Sequence, residues 1–153
     1  MSFSFHLLFS VDRPIARKDI AEFVRDGSYF DEPVAYEPST QGELGELTIK
    51  YAPNRSIRLR RLDRDNNEEI FEEAIESLDR ASIPAERREW LRKRLAETKT
   101  MVEIQVDRTT MDQNAWAMLD ALEADLMRSN KGLLYVYDEG IYGPDLKLSP
   151  EVI

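Results

Sequence analysis

Five glutamates near the middle of the chain have a spacing that would bring their carboxylates together on one side of a helix. Glu68, Glu69, Glu72, Glu73 and Glu76 recur at intervals of three and four residues, so several of them share a helix face. A carboxylate face of this kind could contact a hard metal ion, but no calcium-binding loop and no nearby histidine completes a cage. The pattern leaves open a solvated helix surface and an acidic surface that binds a protein partner.

A second group combines tyrosines and acids around a predicted turn. Tyr135 and Tyr137 are predicted to share one strand face, with Tyr142 on the neighbouring strand. Tyrosines flanked by acids supply apolar area, a hydroxyl group and charge, as binding hot spots do. The other interpretation is cross-strand aromatic packing that stabilises the hairpin. The two groups together give the candidate partner-binding residues: Glu69, Glu72, Glu73, Glu76, Tyr137, Asp138, Glu139, Tyr142 and Asp145.

The sequence contains few residues in patterns that are typical of catalytic sites. His6 is the single histidine, and it lies beside Ser4 and Ser10 on the strand face opposite the phenylalanines, as an ordinary half-exposed sheet residue would. The chain has no cysteine, and its six glycines form no phosphate-binding loop. We therefore predict no catalytic residues, no cofactor and no metal. An acid–base pair of carboxylates needs one desolvated carboxyl, which is a property of the fold.

A long amphipathic helix dominates the second half of the chain. It follows an alternating strand, and Thr110 with Gln113 has the spacing of a capping box. Asn130 or Gly132 is predicted to take the left-handed conformation at its end. The apolar stripe is predicted to consist of Ala115, Leu119, Leu122 and Leu126. The solvent side is predicted to consist of Asp120, Glu123, Asp125 and Arg128.

The predicted elements indicate an α+β fold in a single domain, 1–153. Residues 1–62 and 99–143 each read as a β-α-β-β unit, with a helical pair at 63–98 and a tail at 144–153. We expect the two units to share one mainly antiparallel sheet, with helices packed on one face and the helical hairpin between the units.

The charge distribution restricts the class of partner. The net charge of −9 is uneven: residues 1–62 are neutral, residues 63–98 carry −4 and residues 99–153 carry −5. An acidic surface repels phosphate backbones, which disfavours nucleic acid as a partner. No apolar run approaches the roughly 20 residues of a membrane helix, so no membrane partner is predicted. The lack of cysteine fits a reducing cytoplasm, the location we expect, and the oligomeric state stays open.

The closing segment carries a family resemblance. Its motif is a strand and a long helix followed by Gly132-Leu133-Leu134-Tyr135-Val136-Tyr137-Asp138-Glu139-Gly140-Ile141-Tyr142. This resembles small uncharacterised bacterial proteins found beside polymorphic toxins, which are regarded as cytosolic immunity proteins. The resemblance covers about the last fifty-five residues, with a looser match at Phe3 to Ser10. It implies a protein that binds and blocks one cognate toxin without turnover of its own.

The residues and the resemblance favour the same class of function. We expect a non-enzymatic, acidic protein-binding domain that neutralises a basic toxin by occluding its active site. The first alternative is a small-molecule-binding sensor or regulatory domain, with its cleft where the two units meet. The second is a bacterial enzyme that works with carboxylates and tyrosines alone, for which buried paired carboxylates in a cleft would be the sign.

Overall fold

An antiparallel sheet forms the centre of the protein in the computed structural model, which describes residues 2–148. The strands in that range are β1 (Ser2–Phe9), β2 (Ala35–Glu37), β3 (Glu46–Ala52), β4 (Arg55–Asp63), β5 (Thr100–Asp107), β6 (Gly132–Val136) and β7 (Gly140–Tyr142). Their order in the sheet is β2-β3-β4-β5-β1-β6-β7. The helices are α1 (Arg17–Asp26), α2 (Glu68–Arg80), α3 (Ala85–Ala96) and α4 (Gln113–Asn130), with one short 3-10 turn at Arg64–Asn66. No helix in this range has both the length and the apolar character needed to cross a membrane.

Helices cover both faces of the sheet. On the first face, α1 and α4 pack over Phe5, Leu7 and Phe9 of β1 and their cross-strand neighbours. On the second face, α2 and α3 pack over a smaller apolar patch. The prediction of helices on one face therefore holds for α1 and α4 and is wrong for α2 and α3. The reason is that the second face is also apolar over the patch formed by Leu8, Met101, Leu133, Tyr135 and Ile141.

The two halves of the chain interlock within the sheet. β1 belongs to the first half, yet it pairs with β5 and β6, which both belong to the second half. β5 in turn lies between β1 and β4. The α+β fold with an antiparallel sheet is confirmed, and two helices do separate the halves. The arrangement as two β-α-β-β units is not confirmed, because each half supplies the strand that the other half pairs with.

The ends of α4 differ from the sequence prediction. Asp112 is the capping residue, because its Oδ1 accepts a hydrogen bond from the Ala115 N–H at 2.8 Å. The Thr110 hydroxyl instead donates to the Asp107 carbonyl at 3.0 Å, so the predicted capping box does not form. At the other end Lys131 takes the left-handed conformation, with φ 50°. Asn130 stays helical because its buried side-chain amide donates to the Leu126 carbonyl at 2.9 Å.

The predicted tail lies only partly within the described residues. Residues 149–153 are outside the range. Earlier in the tail, the chain forms a turn in which the Leu146 N–H donates to the Gly143 carbonyl at 2.8 Å. Leu148 then makes an isolated antiparallel bridge with Tyr142. This turn places the Leu146 side chain beside β7, where it lines a cleft described below.

A glycine allows the close approach of β6 to β1. Gly132 pairs directly with Phe9, and a Cβ at this glycine would lie 2.6 Å from Phe9 Cδ1 and 3.3 Å from the Leu8 carbonyl oxygen. The Phe9 ring cannot move aside freely because it is fully buried. We expect Gly132→Ala to lower the free energy of unfolding by about 1–3 kcal/mol, the usual cost of overpacking a core. Urea unfolding would measure it.

A matched glycine serves as the control for this prediction. An added Cβ at Gly45 would meet no atom within 4 Å, and its backbone does not need a left-handed conformation. Gly45→Ala should therefore leave the stability unchanged or raise it slightly. Equal effects of the two substitutions would contradict the proposed contact between Gly132 and Phe9.

Candidate functional site

Four glutamates form an acidic strip on α2, called the α2 surface below: Glu69, Glu72, Glu73 and Glu76. All four side chains are exposed, whereas Ala74 and Leu78 on the other side of the helix are buried against the sheet. The structure thus brings together the four glutamates that the sequence singled out, and packing of the apolar side fixes the direction in which they point. Like charges at this spacing repel one another, so the strip carries negative potential.

The charges around the α2 surface are paired, while those on it are not. At the two ends of the same helix, Glu68 pairs with Arg64 at 3.4 Å and Asp79 pairs with Arg92. Within residues 2–148, no basic side chain forms an ion pair with any of the four glutamates of the α2 surface. Within the described residues, the α2 surface is thus a part of this helix whose acidic side chains have no ion-pair partner.

The part of the sheet beside the α2 surface is polar and internally neutralised. Arg58 lies 2.8 Å from Glu46, and Lys50 lies 2.5 Å from Glu37, on neighbouring strands. Closer to α2, Arg60 donates to Glu103 at 3.0 Å. These cross-strand pairs use the basic groups of this sheet region, so they do not offset the α2 surface.

His6 lies at the base of a shallow depression of about 510 Å³ between α2 and the sheet. Its Nε2 is 3.4 Å from Glu103 Oε2. Burial lowers the pKa of His6, and the opposing effects of Glu103 and Glu73 only partly offset it, so the ring is neutral at pH 7. Among the described residues, no group of three acidic or histidine side chains has the geometry to hold a metal ion. The depression is therefore an acidic recess beside the α2 surface.

Tyr137 has an exposed aromatic ring near one end of α2. Its side chain is 62% exposed, whereas Tyr135, two residues earlier on the same side, is 3% exposed. Burial raises the pKa of Tyr135 to about 12, and Glu73, Tyr137 and Glu76 are near enough to contribute. Tyr137 lines a separate depression at the end of α2, where Arg80 and Arg87 also lie. The exposed ring is therefore near the C-terminal end of the helix that carries the glutamates.

The remaining candidate residues of the hairpin face elsewhere. Tyr142 pairs with Leu134 and Tyr135 pairs with Ile141, so Tyr142 lies on the opposite sheet face from Tyr135. The Tyr142 hydroxyl donates to Glu139 Oε1 at 2.8 Å. The register of the hairpin therefore separates Tyr142 from the two other tyrosines that the sequence grouped with it. Two further candidates, Asp138 and Asp145, are exposed in the turns on either side of β7.

A cleft of about 490 Å³ opens on the side of the sheet that Tyr142 faces, between α4 and the β6–β7 hairpin. We call it the α4 cleft. Its apolar walls come from Phe5, Trp116, Leu134, Val136 and Leu146, and its polar groups come from Arg108, Asp120, Glu123, Glu139 and Tyr142. This volume falls within the usual range for a small-molecule site.

Glu123 is the unusual residue of the α4 cleft. It was predicted on the solvent side of α4, but it is only 3% exposed, and this prediction is wrong. Its Oε2 is buried and has no hydrogen-bond partner among the residues that the structure describes. Burial, together with the nearby Asp120, raises the pKa of Glu123 to about 8, so the carboxyl is mainly protonated at pH 7. Burial also raises the pKa of Asp120.

A larger groove of about 1050 Å³ runs between α1 and the connection at 28–43. Its carboxylates, such as Asp19 and Glu32, are not buried. The groove therefore lacks the desolvated polar group that distinguishes the α4 cleft.

Comparison of the chain with protein-family models, curated proteins and solved structures finds no match. The resemblance to immunity proteins therefore stays a prediction.

Proposed function

We propose that the protein is a non-enzymatic binding domain of the immunity type, which neutralises a basic toxin by covering its active site. The observation that supports the binding role is the exposure of four glutamates on one side of α2, none of them in an ion pair within residues 2–148, with the exposed ring of Tyr137 near the end of the same helix. The immunity role rests on the resemblance of the closing segment. The lack of cysteine supports a cytoplasmic location.

The α2 surface suits a basic partner on electrostatic grounds. Its four carboxylates add to an overall charge of −9, so the protein attracts a cationic protein over a distance comparable to the Debye length. Such attraction raises association rates by about 10- to 1,000-fold at low salt and weakens as salt is added. A basic active-site cleft of the kind that binds a polyanionic substrate would be complementary to this strip.

Tyr137 adds an aromatic anchor to the charged glutamates of the surface. Aromatic residues dominate the free energy of many interfaces because they bury large areas with little loss of side-chain freedom. Tyr137 already lies beside a well-packed residue, since Tyr135 is held between the sheet and α2. Burial of the exposed Tyr137 ring against a partner would supply this kind of contribution.

The test is an affinity capture from native lysate with two charge-matched variants. We expect the wild type to retain one basic protein in stoichiometric amount, and high salt to weaken that binding. Glu72→Lys/Glu76→Lys should weaken it by about tenfold to a hundredfold at low salt, because attraction becomes repulsion. The partner would be identified by mass spectrometry, and the affinity would then be measured with the purified proteins.

The control is Glu86→Lys/Glu89→Lys, which makes the same change in net charge on exposed positions of α3. This variant should bind within a few-fold of the wild type. If both variants lose the partner equally, net charge alone governs binding and the α2 surface is not the contact. If neither variant loses it, the surface is likewise rejected.

A further inference from the structure

The polar groups of the α4 cleft are arranged for a ligand with a hydrogen-bond donor. Glu123 places a buried, unpartnered Oε2 in the cleft wall. A buried polar atom without a partner costs about 1–3 kcal/mol, and a bound donor would recover that cost. Water can satisfy such a group as well, so the charge and the walls of the cleft decide which ligand is preferred.

The charge of the cleft favours a cation. Asp120, Glu123 and Glu139 contribute carboxyl groups, and Arg108 is the basic group in the lining. Arg108 is already engaged: its guanidinium lies 3.4 Å from the centre of the Phe3 ring and 4.0 Å from Glu139 Oε2. It therefore offsets Glu139 at the rim, and the described lining offers no second basic group to offset Asp120 or an ionised Glu123. An anionic ligand would meet repulsion from Asp120.

The walls of the cleft favour an apolar body on that cation. Trp116 and Phe5 lie with ring centres 6.1 Å apart and form an aromatic wall. Leu134, Val136 and Leu146 complete the apolar lining. An ammonium group near an indole face gains further attraction from the π-electrons.

From this geometry we propose that the α4 cleft binds a small organic cation, namely an amine that carries an aromatic or aliphatic body. The ammonium group donates to Glu123, and the body packs against Trp116. This site lies on the opposite sheet face from the α2 surface, so it is independent of the protein-binding function proposed above.

The proton balance of this binding follows from the empty cleft. Glu123 is mainly protonated at pH 7 because burial raises its pKa to about 8, and an ammonium group beside it favours the ionised form. Binding at pH 7 therefore releases a proton, up to one per amine. The affinity should rise as the pH increases toward about 8, because Glu123 then ionises in a lining that also contains Asp120, Glu139 and Arg108.

Phenethylamine is the probe, and its neutral and anionic analogues are phenethyl alcohol and phenylpropionate. We expect the amine to change the fluorescence of Trp116 and to bind at least about tenfold more tightly than either analogue, as a charged hydrogen bond would require. Trp90→Phe removes the second tryptophan, which lies on the α2/α3 side. Calorimetry in buffers of different ionisation enthalpy measures the proton released.

Two substitutions on α4 separate a binding role for Glu123 from a merely structural one. Glu123→Gln preserves the shape of the side chain and should weaken the amine by about tenfold or more, without proton release. Asp125→Asn removes an exposed carboxylate of the same helix that does not line the cleft and should have no effect. Equal binding of amine and alcohol, amine binding without proton release, or no binding of the amine at millimolar concentration would each overturn the proposal.

Discussion

Glu123→Gln is expected to remove the loss of stability that the Glu123 carboxyl causes as the pH rises from about 4.5 to about 8. Burial raises the pKa of Glu123 from an ordinary value of 4.5 to about 8 in the folded protein. Between these two values the folded state holds a proton that the unfolded state has released. Raising the pH therefore favours unfolding, by an amount on the order of 4 kcal/mol over the whole interval.

Glutamine has no proton to lose, so the free energy of unfolding of the variant should not fall for this reason as the pH rises. Well below the ordinary pKa of 4.5 the two proteins should have similar free energies of unfolding, because the wild-type carboxyl is then neutral in both states. The variant should then become progressively more stable than the wild type, and the difference should level off above about pH 8 to 9. Urea unfolding at a series of pH values in amine-free buffers measures this difference directly.

Asp125→Asn is the matched control for the pH experiment, since it changes an exposed carboxylate on the same helix. Its stability curve should run parallel to that of the wild type. Parallel curves for wild type and Glu123→Gln would mean that the carboxyl is not desolvated in the folded protein. That result would also remove the basis for an unpartnered buried group in the α4 cleft.

Leu8→Ala is expected to cost about 2–5 kcal/mol of stability, as much as truncation of its neighbour Leu7. The two residues point to opposite faces of β1, yet Leu7 is fully buried and Leu8 is 2% exposed. Leu7 is covered from the side of α1 and α4, whereas Leu8 is covered from the side of α2 and α3. A large cost at both positions requires helices on both faces.

The control for Leu8→Ala lies on the same strand face. Ser4 is outside the patch that α2 and α3 bury and is only half-buried, so Ser4→Ala should change stability by less than about 0.5 kcal/mol. Chemical unfolding followed by circular dichroism measures all three variants. A cost below about 1 kcal/mol for Leu8→Ala would show that α2 and α3 do not pack there.

Local patterns predict the elements of this fold better than their arrangement. The alternation in β1 and β5 and the helical spacing in α4 are properties of neighbouring residues, and those elements form as expected. The burial of Leu8 was not predicted, because Ser4, His6 and Ser10 give its strand face a polar pattern. Its burial depends on two helices more than fifty residues away in the chain, which a local pattern does not reveal.

The same distinction applies to the candidate sites. The four glutamates of α2 were predicted because helix spacing alone places them on one side. Tyr142 was assigned with the other tyrosines, but the short turn between Val136 and Gly140 sets a register that places it opposite Leu134. Glu123 was missed because its burial depends on the β6–β7 hairpin closing over α4. Its spacing of seven residues from Trp116 and four from Met127 was the available signal.

The position of β1 in the middle of the sheet also determines when the protein can fold during its synthesis. Its two neighbours, β5 and β6, begin at Thr100 and Gly132, so a ribosome releases β1 long before either partner exists. Until then the nascent strand presents unpaired backbone edges and the uncovered side chains of Phe5, Leu7 and Phe9, which are features that invite aggregation. The sheet can therefore close only after residue 136 has been made.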